Sequence, residues 1–150
     1  MILSKEEALR DVKLFALDMD GTFYLGNGLI DGALDFIEAL RSHQKDFIFI
    51  TNNSSRGSSF YQEKLKKMGC FVEADQIITS GDVTINYLKT YYPGQSVYLM
   101  GTPLLEESFR EHGINLVQEQ PDVAVASFDT TLTYETVSYT HLTLPTKRIV

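Results

Sequence analysis

Two aspartates separated by a single residue, Asp18 and Asp20, directly follow an apolar run over residues 14–17. Such a run predicts a buried parallel strand, so both carboxylates would leave its carboxyl end, where open α/β sheets bind ligands. Residues two apart on an extended chain point the same way, so Met19 is expected to turn into the core. Gly21 and the threonine after it predict a tight turn with exposed amides. These are the groups needed for Mg²⁺-assisted phosphoryl transfer through an aspartyl-phosphate.

A second apolar run, over residues 47–50, leads into small hydroxyl and amide side chains: Thr51, Asn52, Asn53, Ser54 and Ser55. A strand that ends in such side chains before a helix is a phosphate-binding layout. Each pattern also has an ordinary interpretation. An Asp-x-Asp pair alone also occurs in turns and calcium loops, and the serines suit a helix N-cap.

Together the two patterns resemble motifs I and II of the haloacid dehalogenase (HAD) phosphatase superfamily. Motif I corresponds to residues 18–22 and motif II to residues 51–54. The stretch 21–26, with Ile-Asp-Gly-Ala at 30–33, is similar to the class IIA, NagD-like (4-nitrophenylphosphatase) branch. The resemblance covers about residues 10–135.

The resemblance implies a role for each matching residue. Asp18 would be the nucleophile and Asp20 the general acid and base, and both would contribute to binding Mg²⁺. The phosphate and the rest of the substrate would be bound by Gly21, Thr51, Asn52, Asn53 and Ser54. The expected partner is a small phosphorylated metabolite.

The rest of the chain alternates strands and helices, which predicts an α/β fold with a parallel sheet. Strands 14–18 and 46–51 should be neighbours in this sheet, with Asp18 and Thr51 at the same edge, because both must reach one phosphate. We expect strands at 14–18, 46–51, 76–79, 96–100 and 123–126, helices at 32–43, 56–68, 81–91 and 103–112, and a small β-flap within 21–31. The resemblance implies a Rossmann-like core with part of an α/β cap. On helix 56–68, the lysines at 64, 66 and 67 are expected to form a solvated face, and Tyr24 is expected to serve packing.

The resemblance also divides the chain into residues 1–79, the N-terminal part of the core, and 80–135, the first part of the cap. The family has two further motifs, which supply a lysine and another acidic metal ligand, and no pattern after Thr51 matches either. Gly81-Asp82 has a fitting dipeptide, but no second aspartate follows it. We therefore expect a truncated chain that stops inside the cap and is inactive by itself.

Residues 136–150 depart from the rest in composition. All 20 acidic residues lie at or before Glu135, whereas the remainder is rich in threonine, leucine and basic residues. This break predicts a tail that is not native to the protein.

Composition limits the partners of this 150-residue chain. Its net charge of −7 argues against nucleic acid and against an anionic membrane surface. The single cysteine, Cys70, excludes an internal disulfide and is expected to be a packed, reduced thiol. No signal peptide and no run long enough to span a bilayer is found, so a cytoplasmic location is expected. Caps of class IIA can pair, which leaves a homo-oligomer through the cap open.

Three functions stay open from the sequence. The first is the Mg²⁺-dependent phosphatase, and the second is a non-catalytic phospho-acceptor of receiver type. The third is a binding fragment that folds without activity. Both acids leave one strand here, which favours the hydrolase over the phospho-acceptor.

Overall fold

The computed structural model describes residues 9–127, which form two compact units. The first unit contains residues 9–51 and 61–78, and the second contains residues 52–60 and 79–127. The predicted tail at 136–150 lies outside the described residues, and the predicted domain boundary at 79 stays a prediction. None of the helices between residues 9 and 127 has both the length and the apolar character needed to cross a bilayer.

Strands and helices alternate as the sequence predicts. The elements are β1 (Leu14–Asp18), β2 (Tyr24–Leu25), β3 (Gly28–Leu29), α1 (Ala33–Ser42), β4 (Asp46–Thr51), α2 (Ser58–Lys67), a 3₁₀ turn (Ala74–Gln76), β5 (Ile77–Thr79), α3 (Ser80–Tyr91), β6 (Ser96–Met100), α4 (Pro103–Glu111), β7 (Asn115–Leu116) and β8 (Val123–Ala126). Among the strands, the sequence missed the two-residue β7, which is too short to show a period of its own.

The sheet of the first unit has the strand order β1-β4-β5. β1 and β4 are parallel, with Leu14 opposite Asp46 and Asp18 opposite Ile50. The predicted flap is the antiparallel pair β2–β3. The predicted parallel pairing of the two motif-bearing strands is therefore confirmed.

The prediction that β1 is buried is wrong. Leu14 is 52% exposed and Ile50, on the same face of the sheet, is 39% exposed. The opposite face carries Phe47 and Phe49, and both are buried. The reason is that β1 is an edge strand of this sheet and one sheet face is not covered by the described residues.

The core of the first unit lies on the covered face. Phe23 packs edge-to-face on Phe49 with ring centroids 4.7 Å apart, and Ile37 of α1 and Leu65 of α2 join this core. Cys70 is buried there as a free thiol, as predicted.

The second unit has its own parallel sheet, in the order β7-β6-β8, and its own core. Helix α3 begins with a capping box, in which the Thr79 hydroxyl accepts from the Asp82 amide at 3.1 Å. The Asp82 carboxylate in turn accepts from the Thr79 amide. Asp82 therefore has a structural use in capping, in line with its rejection as a motif residue.

Candidate active site

Asp18 ends β1 and presents its carboxylate to solvent. Its Oδ2 accepts a 2.9 Å hydrogen bond from the Thr22 hydroxyl, whereas Oδ1 receives none from residues 9–127. Met19 is fully buried, as predicted, and Asp20 is again exposed. The alternation of an extended chain thus turns both carboxylates out of the core.

The turn after the second aspartate is closed by its own backbone. The amides of residues 22–24 reach the Met19 carbonyl oxygen at 3.3, 2.9 and 3.2 Å, and the Gly21 amide donates to the Tyr24 carbonyl at 2.8 Å. Gly21 has a φ of 81°, which a glycine adopts without steric cost. The tight turn is confirmed, but these amides are used inside it rather than left exposed. A contact between the Gly21 amide and phosphate stays a prediction. It requires this amide to give up its hydrogen bond to the Tyr24 carbonyl and to donate to a phosphate oxygen instead.

Thr51 ends β4, the neighbour of β1. Because Asp18 pairs in register with Ile50, Asp18 and Thr51 lie at the same end of adjacent parallel strands, as predicted. Alternation along β4 places Ile50 on the exposed face with Asp18, and Thr51 on the buried face. The structure therefore brings Asp18, Asp20, Gly21 and Thr51 to the side of the first unit's sheet at which the strands have their carboxyl ends.

The three residues after Thr51 belong to the second unit. The Asn52 carbonyl accepts a 2.9 Å hydrogen bond from the Ser80 hydroxyl. Asn53 Oδ1 accepts from the amide and hydroxyl of Ser55, at 3.0 and 2.6 Å, which forms an Asx turn. The buried Ser54 hydroxyl is hydrogen-bonded to the Ser127 hydroxyl. The side chains of Asn53 and Ser54 thus have local structural partners, and their proposed contacts to substrate stay predictions.

A cavity of about 250 Å³ lies in the second unit, with Asn52, Ser54, Ser80, Thr84, Leu105, Phe109 and Ser127 among its lining residues. This volume is just below the range of about 300–1,000 Å³ that is usual for small-molecule sites. The cavity by itself therefore assigns no ligand.

Tyr24, the first residue of β2, has an unusual hydroxyl. Its side chain is fully buried, and the hydroxyl has no hydrogen-bond partner in the described part of the chain. Burial raises the pKa of this phenol well above its usual value, and the nearby charge of Asp20 raises it further. Tyr24 therefore remains a neutral hydroxyl next to one of the two aspartates. No sequence pattern indicates this, because a buried tyrosine looks the same whether or not its hydroxyl is satisfied.

Lys64 of α2 covers the ring of Tyr24. Its Nζ lies 3.7 Å from the ring centroid, a cation–π contact. The predicted solvated face is right for Lys66 and Lys67, which are exposed, but wrong for the half-buried Lys64. Lys64 follows the buried Tyr61 by three residues, so it lies at the border of the apolar side of α2. That spacing is the signal that could have identified it.

The carboxylates of Asp18 and Asp20 are hard oxygen ligands. Within residues 9–127, no group of three or more His, Cys, Asp or Glu side chains is placed to hold a metal ion. Mg²⁺ usually keeps several waters and takes only one or two carboxylates, so the chemistry of this donor set fits Mg²⁺.

A sequence profile for haloacid dehalogenase-like hydrolases matches residues 15–115, which include both aspartates and the segment 51–54. The chain belongs to this family. The resemblance drawn from the two motifs is thereby confirmed, as is the α/β fold class with its parallel sheet.

Individual relatives agree with this membership. The acid sugar phosphatase of Staphylococcus saprophyticus is 33% identical over 131 residues, which are 87% of this chain and 51% of that protein. The crystal structure of the 4-nitrophenylphosphatase of Thermotoga maritima is similar with 43% identity and a TM-score of 0.83, over 87% of this chain and 50% of that one. This chain therefore spans about half the length of both proteins.

A third solved structure has low sequence identity to this chain and therefore supports only its fold. The glycerol phosphate phosphatase of Mycobacterium tuberculosis, in complex with magnesium, is 23% identical with a TM-score of 0.77, over 89% of this chain and 41% of that one.

Proposed function

We propose that this chain carries the nucleophile and the proton-transfer group of a Mg²⁺-dependent phosphatase that hydrolyses small phosphate monoesters through an aspartyl-phosphate. The observation that carries the proposal is the position of Asp18 at the end of β1, at the same sheet edge as Thr51 at the end of β4. Reactive groups at the carboxyl ends of adjacent parallel strands can reach one phosphate.

In the first step, Asp18 Oδ1 attacks phosphorus, because a carboxylate needs no deprotonation at neutral pH. A bond forms between Oδ1 and phosphorus, and the bond from phosphorus to the ester oxygen breaks. Asp20 donates a proton to that leaving oxygen, which departs as an alcohol.

In the second step, water hydrolyses the aspartyl-phosphate. Asp20, now a carboxylate, takes a proton from the water as the water attacks phosphorus. The bond from phosphorus to Asp18 breaks, which returns the free carboxylate and releases inorganic phosphate.

The remaining groups bind and orient the substrate. Bound Mg²⁺, held by the Asp18 carboxylate and the Asp20 backbone carbonyl, would supply positive charge against the repulsion between carboxylate and phosphate. The Thr51 hydroxyl and the amides of Gly21 and Asn52 would hold the phosphoryl oxygens, and Asn53 and Ser54 would contact the leaving group.

Sugar phosphates are the first substrates to test, since the Staphylococcus relative is named an acid sugar phosphatase. Nucleotide monophosphates, phosphoglycolate and pyridoxal phosphate also suit the NagD-like branch. We propose a small phosphorylated metabolite as partner rather than nucleic acid or membrane. Pairing of two copies through the cap stays a prediction.

By itself, the 150-residue chain is proposed to lack robust activity, because no pattern after Thr51 matches the lysine and acidic motifs of the family. The loss of one such electrostatic group costs a factor of about 10²–10³ in rate. Turnover of 4-nitrophenyl phosphate at about 1 s⁻¹ or faster by this chain would contradict that part of the proposal.

The function itself is tested by joining residues 1–127 of this chain to the second half of the Thermotoga maritima enzyme. This fusion protein should hydrolyse 4-nitrophenyl phosphate and sugar phosphates with Mg²⁺ and stop when EDTA is added. Cooperative thermal unfolding serves as the control for folding. A folded fusion protein without Mg²⁺-dependent turnover would overturn the proposal. One that takes up phosphate on Asp18 without releasing it would favour the phospho-acceptor alternative.

A further inference from the structure

The Tyr24 hydroxyl is a buried polar group that packing does not explain. It makes no hydrogen bond with the described residues, although buried hydroxyls almost always find a partner. A phenylalanine would fill the same space without leaving a polar atom unsatisfied. An unsatisfied buried hydroxyl lowers the stability of the fold, so its presence at Tyr24 indicates a role other than packing.

Asp20 is the acceptor placed to use this hydroxyl. Asp20 and Tyr24 form an isolated backbone bridge, and the turn between them is closed by the hydrogen bond from the Gly21 amide to the Tyr24 carbonyl. Burial is the main cause of the raised pKa of the Tyr24 phenol, and the charge of the nearby Asp20 carboxylate adds to it, although the hydroxyl makes no hydrogen bond with the described residues. The bond is therefore within reach, but the Asp20 side chain does not make it in the orientation seen here.

Of the two side chains, Tyr24 is fixed and Asp20 is free to turn. The ring of Tyr24 is enclosed in the core of the first unit, and the Lys64 ammonium lies 3.7 Å from its centroid. The Asp20 side chain is exposed. A rotation of Asp20 alone can thus complete the contact.

We propose that Tyr24 is a positioning residue for Asp20, whose buried hydroxyl donates a hydrogen bond to the Asp20 carboxyl group and fixes its orientation for proton transfer. This inference rests on the proposed function, in which Asp20 serves the leaving oxygen. One carboxyl oxygen accepts from Tyr24, and the other faces the substrate to give or take the proton. Holding a catalytic group in the productive geometry lowers the barrier of the chemical step and leaves substrate binding unchanged.

The contact is tested first on the 150-residue chain with Tyr24→Phe and aspartate labelled with ¹³C at the side-chain carboxyl. The Asp20 carboxyl resonance, assigned through Asp20→Asn, should shift, and the thermal midpoint should stay the same or rise. Tyr87→Phe, on an exposed tyrosine of α3, is the control and should move neither. An unmoved Asp20 resonance would overturn the proposal. A large fall in the thermal midpoint would also overturn it, because the hydroxyl would then be structural.

The consequence for the reaction is tested in the fusion protein. Tyr24→Phe should lower kcat about tenfold or more, the effect of losing one hydrogen bond to a charged group, and should leave KM unchanged. An unchanged kcat contradicts the positioning role. A loss of about tenfold in kcat/KM that comes entirely from a higher KM contradicts it as well. If the fusion protein with Tyr24 is folded but inactive, the proposed function fails and this inference fails with it. A shifted Asp20 resonance in the Tyr24→Phe chain would then show that the Tyr24–Asp20 hydrogen bond exists and that the proposed phosphatase function is wrong.

Discussion

The Thr22 hydroxyl donates a 2.9 Å hydrogen bond to Oδ2 of Asp18. This bond joins the end of β1 to the turn that follows it, and it engages one of the two carboxylate oxygens. Oδ1 has no hydrogen-bond partner in the described chain, so it is the oxygen left for attack on phosphorus. Thr22 thus selects the rotamer of the proposed nucleophile.

Replacing that hydroxyl by a methyl group should slow the reaction. In the fusion protein, Thr22→Val should lower kcat about tenfold, because one hydrogen bond to a charged group is lost at an exposed position. Thr22→Ser keeps a hydroxyl and should retain most of the activity. Steady-state kinetics with 4-nitrophenyl phosphate measure both variants. Equal losses in the valine and serine variants would show that shape, rather than the hydrogen bond, matters at residue 22.

The two aspartates should respond differently to substitution. Asp18→Asn removes the nucleophile, so the fusion protein should lose measurable turnover. Asp20→Asn removes the proton-transfer group and should cost a factor of about 10²–10⁴ in kcat. Circular dichroism and thermal unfolding should match the unsubstituted protein, since both side chains are exposed. If Asp18→Asn kept most of the activity, the nucleophile would be wrongly assigned.

The sequence predicted the chain order of strands and helices and the common edge of Asp18 and Thr51 because these depend on local patterns. Apolar runs of four or five residues define strands, and helix stripes define the elements between them. Parallel pairing then follows from the alternation of strands and helices.

What the sequence could not predict depends on contacts between distant segments. The exposure of Leu14 follows from the position of β1 at a sheet edge, which the apolar run itself does not reveal. The contact of Lys64 with Tyr24 joins residues 40 positions apart. The hydrogen bond of the Gly21 amide within its own turn depends on backbone angles that residue types only suggest.

The turn that carries Asp20 should be sensitive to its glycine. Gly21 has a φ of 81°, and no atom lies within 4 Å of the position that a Cβ would take there, so Gly21→Ala would introduce backbone strain without a clash. We expect a loss of about 1–2 kcal/mol in the free energy of unfolding, measured with urea. Gly28→Ala is the matched control, because Gly28 lies in the same flap without a positive φ and with its nearest atom at 4.0 Å. If Gly28→Ala lowers the free energy of unfolding as much as Gly21→Ala does, any added side chain in the flap is destabilising, and the positive φ of Gly21 is not the cause.

Cys70 should make the stability of the chain depend on alkaline pH. Burial raises the pKa of its thiol, and the nearby Arg41 guanidinium opposes this only in part. The folded chain therefore keeps the thiol proton at pH values where the unfolded chain, with a thiol pKa of about 8.5, loses it. The stabilising contribution is complete below about pH 8.5 and declines as the pH rises from there toward the raised pKa of the folded state.

Cys70→Ala removes this titration, so the two proteins should be compared by urea unfolding at several pH values. At pH 7 the variant should be less stable, since a buried side chain is shortened in the core. Between pH 7 and pH 9.5 the difference between the two proteins should shrink by at most about 1.4 kcal/mol, because only the wild-type chain stabilises its unfolded state by ionising the thiol. Other titrating groups act on both proteins alike and cancel in the difference. A difference that stays constant across this range would mean that the Cys70 thiol ionises as easily in the folded chain as in the unfolded one.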